Sequence, residues 1–215
     1  DYLVVGDDGS VEAWLNRGTD AKGGGGWQSV GRIAAGVAPG GKVRFADLDG
    51  DGKADYLVLN DDGSVQAWLN RGTDMPGGTG APGGGGGMDP STGSGGTTGT
   101  GTPGGGGGMD PSGGSGGTTG TPAGGGWQAI GTVAAGVAPG GKVRFADVNG
   151  DGKADYLVVE DDGSVSAWLN TDGRGGWNGV GRIAAGVATG DKVRFADFDG
   201  DGKADYLVVG DDGSV

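Results

Sequence analysis

The chain has 215 residues, 59 of them glycine, and 28 acidic against 15 basic residues give a formal charge of −13. It contains neither cysteine nor histidine. That excludes disulfides, thiolate catalysis and Cys-type zinc sites, and removes the commonest general base. The negative charge is a poor match for a nucleic-acid backbone or an anionic lipid surface. No apolar run approaches the roughly 20 residues that span a bilayer, so neither nucleic-acid binding nor membrane insertion is expected.

In chain order, DYLVV from Asp1 is rich in β-formers and bounded by turn residues, which predicts a strand. Asp-Asp-Gly-Ser follows, and Asp-Gly between two apolar runs is a hairpin signal. The segment around AWLN from Ala13 supplies the second strand of that hairpin, and the line opening at Trp27 supplies another. VRFAD from Val43 alternates and runs into DLDGDGKAD, Asp47 to Asp55. The order then starts again: DYLV at Asp55, AWLN at Ala67, GGW ending at Trp127, VRFAD at Val143, DVNGDGKAD from Asp147 to Asp155, DYLV at Asp155, AWLN at Ala167, GGW ending at Trp177, VRFAD at Val193, DFDGDGKAD from Asp197 to Asp205, and DYLV at Asp205. DYLV recurs at spacings of 54, 100 and 50, a period of about 50 residues with one insertion of similar size.

No segment holds a helical period, and glycine punctuates every line. Four short strands per repeat of this length predict β-propeller blades. The expected fold is all-β, with about three blade equivalents, open or part of a larger array. Blades are expected over 1–74 and 127–215, the first and last partial, around a Gly/Thr/Ser/Pro-rich insertion at 75–126. The insertion carries its own repeat, starting at Pro82 and Pro103, and has no apolar set to bury, so it reads as linker or exposed loop. Thr97, Thr98, Thr100, Thr118, Thr119 and Thr121 are candidate O-glycan acceptors if the protein is secreted; no Asn-x-Ser/Thr sequon occurs.

The acidic runs are the chemical feature. Hard cations such as Ca²⁺ take six to eight oxygen ligands. Acidic side chains at positions 1, 3 and 5 of such a run curl oxygens around one point, with glycine at position 6 where the chain turns. An EF-hand would place a bidentate Glu at position 12. Val58 stands there in the first run, inside a predicted strand, so these are not EF-hands. The competing reading is three solvated turns, which three copies at one place in the strand pattern disfavour.

VRFADLDGDGKADYLVLNDDGSVQAWLN resembles the FG-GAP/VCBS repeat, the blade of integrin-α-like propellers and of some fungal lectins, and is especially similar to repeats of secreted fungal proteins. The resemblance covers about 165 residues, everything but the insertion. It implies three Ca²⁺ sites. The ligands would be Asp47, Asp49, Asp51 and Asp55 with the Lys53 carbonyl; Asp147, Asn149, Asp151 and Asp155 with the Lys153 carbonyl; and Asp197, Asp199, Asp201 and Asp205 with the Lys203 carbonyl. Asn149 is neutral, so the second site is expected to be the weaker. Asp1 matches position 9 of a loop whose earlier part is missing, and is expected to bind nothing alone. The ion's expected role is structural, since four close carboxylates repel without it and some would have raised pKa values.

Six tryptophans recur with the blade period and are expected to pack between blades; sugar stacking is the alternative. Arg44, Arg144 and Arg194 are expected to pair with loop acids. The last eleven residues, from Asp205, repeat the first eleven, and the chain opens without Met or a signal peptide. It therefore reads as a segment of a longer periodic array, one 204-residue unit plus an overlap. Open strand edges invite pairing with another chain. The expected function is a non-catalytic, secreted, extracellular, calcium-stabilised structural repeat protein that self-associates through open blade edges, possessing a fibre-forming habit. The alternative is a lectin-like or adhesion propeller module that binds glycans or extracellular proteins.

Overall fold

The computed structural model describes residues 1–19, 25–72 and 126–215. Thirteen strands lie in these residues: β1 (Tyr2–Val5), β2 (Val11–Thr19), β3 (Gly25–Ala34), β4 (Val43–Ala46), β5 (Asp55–Leu59), β6 (Val65–Asn70), β7 (Trp127–Ala134), β8 (Val143–Ala146), β9 (Asp155–Val159), β10 (Val165–Asn170), β11 (Trp177–Ala184), β12 (Val193–Ala196) and β13 (Asp205–Val208). They form antiparallel sheets in the orders β1-β2-β3, β4-β5-β6-β7, β8-β9-β10-β11 and β12-β13. The two middle sheets are complete blades. The first sheet holds the counterparts of strands two to four, and the last those of strands one and two. The only helical elements among the described residues are three short 3₁₀ turns, Gly40–Lys42, Gly140–Lys142 and Gly190–Lys192, each leading into strand one.

The Gly-rich insertion falls between β6 and β7, strands three and four of one blade. Even so, β6–β7 has the register of β10–β11. Asn70 faces Trp127 as Asn170 faces Trp177, with the same two irregularities along the ladder. Strand sequence, not loop length, sets this pairing. The insertion itself, including the threonines named above, lies outside the described residues.

Each hairpin between strands two and three closes by two backbone bonds, Asn60 N–H to Ser64 O at 2.9 Å and Gly63 N–H to Asn60 O at 3.0 Å. The Asp62 carboxylate accepts the Ser64 N–H at 2.9 Å, a local turn bond that aspartate is built to make. Gly63 has φ +81°, and a Cβ there would collide with the Ala138 carbonyl oxygen. Glycine is needed twice over, for its backbone angle and for the close approach.

The core lies between blades rather than within one. In β5, Tyr56 and Val58 face the first sheet, joining Val11, Ala34, Val43, Trp68 and Trp127. Leu57 and Leu59 face the other way, joining Val133, Tyr156, Val158 and Trp177. A third cluster of Leu157, Val159, Val165, Ala167 and Val193 joins the last two sheets. This explains why DYLV is apolar without alternation: both of its faces are covered. Tyrosine hydroxyls stitch the faces together. Tyr56 donates to Gly9 O at 2.9 Å, Tyr156 to Gly63 O at 3.0 Å and Tyr206 to Gly163 O at 3.0 Å, each reaching the preceding sheet.

Candidate metal centres

Each acidic run connects strand one to strand two. In the first, Asp47 follows β4 and its carboxylate gathers the chain around it, accepting the N–H groups of Gly50 (2.8 Å), Asp51 (3.2 Å) and Gly52 (2.8 Å). Gly50 and Gly52 both have positive φ, which allows so tight a curl. Asp55 opens β5, is fully buried, and accepts Leu48 N–H at 2.8 Å and Asn70 N–H at 2.7 Å. It thereby ties both ends of its own loop to the end of β6. The other two loops repeat the scheme. Asp147 accepts Gly150 and Gly152, and Asp155 accepts Val148 and Asn170. Asp197 accepts Gly200 and Gly202, and Asp205 accepts Phe198. In the first sheet Asp1 accepts Asn16 N–H at 2.9 Å, the same bond that Asp55 makes with Asn70.

Asp47, Asp49 and Asp55 each place a carboxylate oxygen within 4.8 Å of the others, and Asp197, Asp199 and Asp205 do the same. In the middle loop the corresponding residues are Asp147, Asn149 and Asp155, so the third acid is replaced by an amide. Asn149 accepts Asp151 N–H at 2.9 Å and donates to the Asp151 carboxylate at 3.3 Å. The position-5 acids stand outside the groups of three. Asp51, Asp151 and Asp201 each accept the N–H of the lysine two residues on and pair with its ammonium, at 3.0, 3.2 and 3.2 Å. The sequence expectation had five ligands per loop; the structure brings three side chains of the first and third loops together, and its hydrogen bonds aim the fourth at a lysine.

The electrostatics single out the buried acid. Burial, helped by the Asp49 and Asp47 charges, pushes Asp55 up to about 6 even though two N–H groups oppose the shift. Asp155 is raised for the same first reason, with Asp147 and Asp151 adding to it. Asp51 moves the other way: its partial burial is outweighed by the Lys53 hydrogen bonds and by the Lys53 and Arg71 charges. One Asp49 oxygen meets Arg71, while the other, Oδ1, is buried with no hydrogen-bond partner. A buried, unpaired carboxylate oxygen inside a group of three acids fits a hard divalent cation, which would supply the missing partner and relieve the repulsion.

The loops also meet across blades, which the sequence did not reveal. Ala154 N–H donates to Asp47 O at 2.7 Å, Asn170 Nδ2 to Leu48 O at 2.9 Å, and Ala204 N–H to Asp147 O at 2.6 Å. The recurring Asn at the end of AWLN was the available signal for the second of these contacts. Arg44, Arg144 and Arg194 correct an expectation. Their hydrogen bonds go to backbone carbonyls, Gly41 and Val43 for Arg44, with the matching pairs at Arg144 and Arg194, and not to a loop acid. These residues lie on strand one ahead of the loop and turn back to the 3₁₀ turn before it. Burial, with the Arg194 and Arg44 charges nearby, lowers Arg144. The arginine that does reach a loop acid is Arg71, just past β6.

Trp68, Trp127, Trp168 and Trp177 pack between blades, whereas Trp14 and Trp27 meet Tyr2 of their own outermost sheet. Trp127 Nε1–H donates to Ile33 O at 2.6 Å and Trp177 Nε1–H to Val133 O at 2.7 Å, in each case on the preceding sheet. Tyr56 meets Phe45, Trp68 and Trp127 edge-on at 5.7–5.9 Å between ring centres, and Tyr156 repeats this with Phe145, Trp168 and Trp177.

Stacked antiparallel sheets of this strand order, with an acidic loop between the first two strands, define a protein of β-propeller-type blades. The chain belongs to the FG-GAP-like repeat family, whose profile matches residues 1–58 and 147–208, more than half of its length. No curated protein matches the sequence.

Proposed function

We propose that this is a non-catalytic extracellular repeat protein whose blades are stabilised by Ca²⁺ at the acidic loops and which self-associates through its exposed blade faces. The carrying observation is the group Asp47, Asp49 and Asp55 with its unpartnered Asp49 Oδ1, repeated as a group of three acids at Asp197, Asp199 and Asp205. Calcium would be held by these acids, and at the middle loop by Asp147, Asn149 and Asp155. The bound ion supplies charge neutralisation. The residues themselves curl the loop, fix strand one to strand two and join neighbouring blades. No part of this calls for an acid–base pair, and the chain has no histidine or cysteine to provide one. No helix among the described residues is long and apolar enough to cross a membrane.

Support for self-association comes from the two outermost sheets. Tyr2 and Trp27 are 57% and 50% exposed, and Phe198 is 77% exposed. Their interior counterparts Tyr56, Trp127 and Leu48 are buried against a neighbouring blade. The occupant these faces fit is another blade of the same sequence. Sugar stacking draws less support: Trp127 and Trp177 are committed to backbone carbonyls, and the cleft at Lys142, Arg144, Glu160, Asp161 and Asp191 has no aromatic wall.

The test is thermal unfolding of the full chain with Ca²⁺ and with chelator, alongside light scattering and electron microscopy of the same samples. An ion that binds only the folded state at about 100 times its Kd stabilises by about 2.7 kcal/mol. A clear rise in Tm, with larger particles when calcium is present, is expected. An unchanged melt would sink the calcium reading, and a monomer at every concentration the assembly reading.

A further inference from the structure

The blades differ at one place beside the acidic loop. After β6 the chain reads Asn70-Arg71; after β10 it reads Asn170-Thr171. The Arg71 guanidinium pairs with Asp49 Oδ2 and lies 3.9 Å from Asp51 Oδ2. It is held there on its other side, its Nε–H donating to Gln128 Oε1 at 2.8 Å and its backbone N–H to Gly126 O at 2.6 Å. The first sheet builds the same clamp, Arg17 Nε–H to Gln28 Oε1 at 2.9 Å. Thr171 instead donates its hydroxyl to Gly176 O at 3.0 Å. The loop residue changes in step: Asp49 where the arginine is present, Asn149 where threonine replaces it. The first loop thus has four carboxylates and a guanidinium, the second three carboxylates and none, so the two have the same formal charge.

We propose that Arg71 is a built-in counter-ion that sets the cation affinity of the first acidic loop. It neutralises Asp49 in the cation-free chain, and its charge opposes the arriving cation, so the loop with the extra carboxylate is not the tighter site by the margin its acid count suggests. Arg71 acts on the site through Asp49, and the inference rests on the reading that these loops take Ca²⁺.

The experiment is a Ca²⁺ titration of the full chain followed at the amide resonances of Gly50 and Gly52 in the first loop and Gly150 and Gly152 in the second. Arg71→Thr, which copies the sister blade, is expected to tighten the first loop roughly tenfold and leave the second unmoved. Arg71→Lys, which keeps the charge, should stay near the parent affinity; a purely structural role would make the two variants alike. Thr171→Arg combined with Asn149→Asp should bring the second loop to the affinity of the first. Calcium binding at both loops with no tightening in Arg71→Thr would overturn this inference alone. Shifts at neither loop, in the parent or the variant, would overturn the calcium reading and this one together.

Discussion

The first sheet and the two complete blades are written in nearly the same words but live in different surroundings. DYLVV as β1 is largely exposed, whereas DYLVL as β5 and DYLVV as β9 are buried at every residue. Tyr2 faces Trp14 across its hairpin as Tyr56 faces Trp68, so the ladder is the same. What differs is the preceding blade, which provides Gly9 O to the Tyr56 hydroxyl and Ile33 O to the Trp127 indole. A blade of this kind brings strand pairing with it but takes its core from its neighbours. Stability should then be a sum of modest within-blade terms and large interface terms, as in other stacked repeats.

The strongest way to break that comparison is to remove the same side chain in both places. Tyr156→Ala takes away a fully buried ring, its contacts with Phe145, Trp168 and Trp177, and the bond to Gly63 O. It should cost about 3–5 kcal/mol, against about 0.5 kcal/mol for Tyr2→Ala at its exposed position. Urea unfolding of the two variants, in chelator so that the acidic loops contribute equally, checks this. Similar losses would mean that the blade interface is not where the energy lies.

A backbone version should be next in size. Gly63 and Gly213 occupy the same turn with the same φ of +81°, but a Cβ at Gly63 meets the Ala138 carbonyl, while at Gly213 nothing lies within 4 Å. Gly213→Ala should lose only the conformational term, about 1 kcal/mol. Gly63→Ala adds a collision with backbone that cannot rotate away, and should lose about 3 kcal/mol or more. Denaturant midpoints of the two variants give the difference directly.

The same distinction explains what could be read from the sequence. What is close in sequence within a blade was largely legible: the four strand lines, the hairpin at Asp-Asp-Gly-Ser, and the curl of the acidic run around Asp47. The return of the chain to its own sheet at Trp127, after the insertion, was legible because the GGW line recurs with the blade period. Contacts between blades were not. Asn170 reaches Leu48 O from 122 residues away; the recurrence of Asn at the end of AWLN marks the position but does not say which blade's loop it meets. Arg71 was missed for a similar reason, since its partner Asp49 lies two strands earlier and only the folded sheet brings them together. Arg44 misled because a charge next to an acidic run suggests a pair, whereas the backbone carbonyls of the 3₁₀ turn were nearer.

The smallest effect sharpens the comparison by being equal on both sides. Asp62 in the complete blade and Asp212 in the last sheet each accept the hydroxyl of the serine two residues on at 2.7 Å and its N–H at 2.9 and 3.0 Å. Those hydrogen bonds, the side-chain one first, hold both carboxyls below the ordinary 3.8. A depressed acid contributes stability that is present above its unfolded pKa and lost as pH falls through its folded one. Both turns should therefore stay formed at neutral pH and loosen only below about pH 4. The hydrogen-bond partners are local, and the one further charge acting on Asp62, Lys42, leads into strand one of the same blade, so a neighbouring blade should make little difference. Carboxyl carbon shifts followed by NMR from pH 6 to pH 2 should give overlying curves for Asp62 and Asp212, even though the strands around one are buried and those around the other are not. If Asp62 instead titrates well apart from Asp212, the turn too depends on its neighbour, and the line drawn here between local pairing and interface packing is in the wrong place.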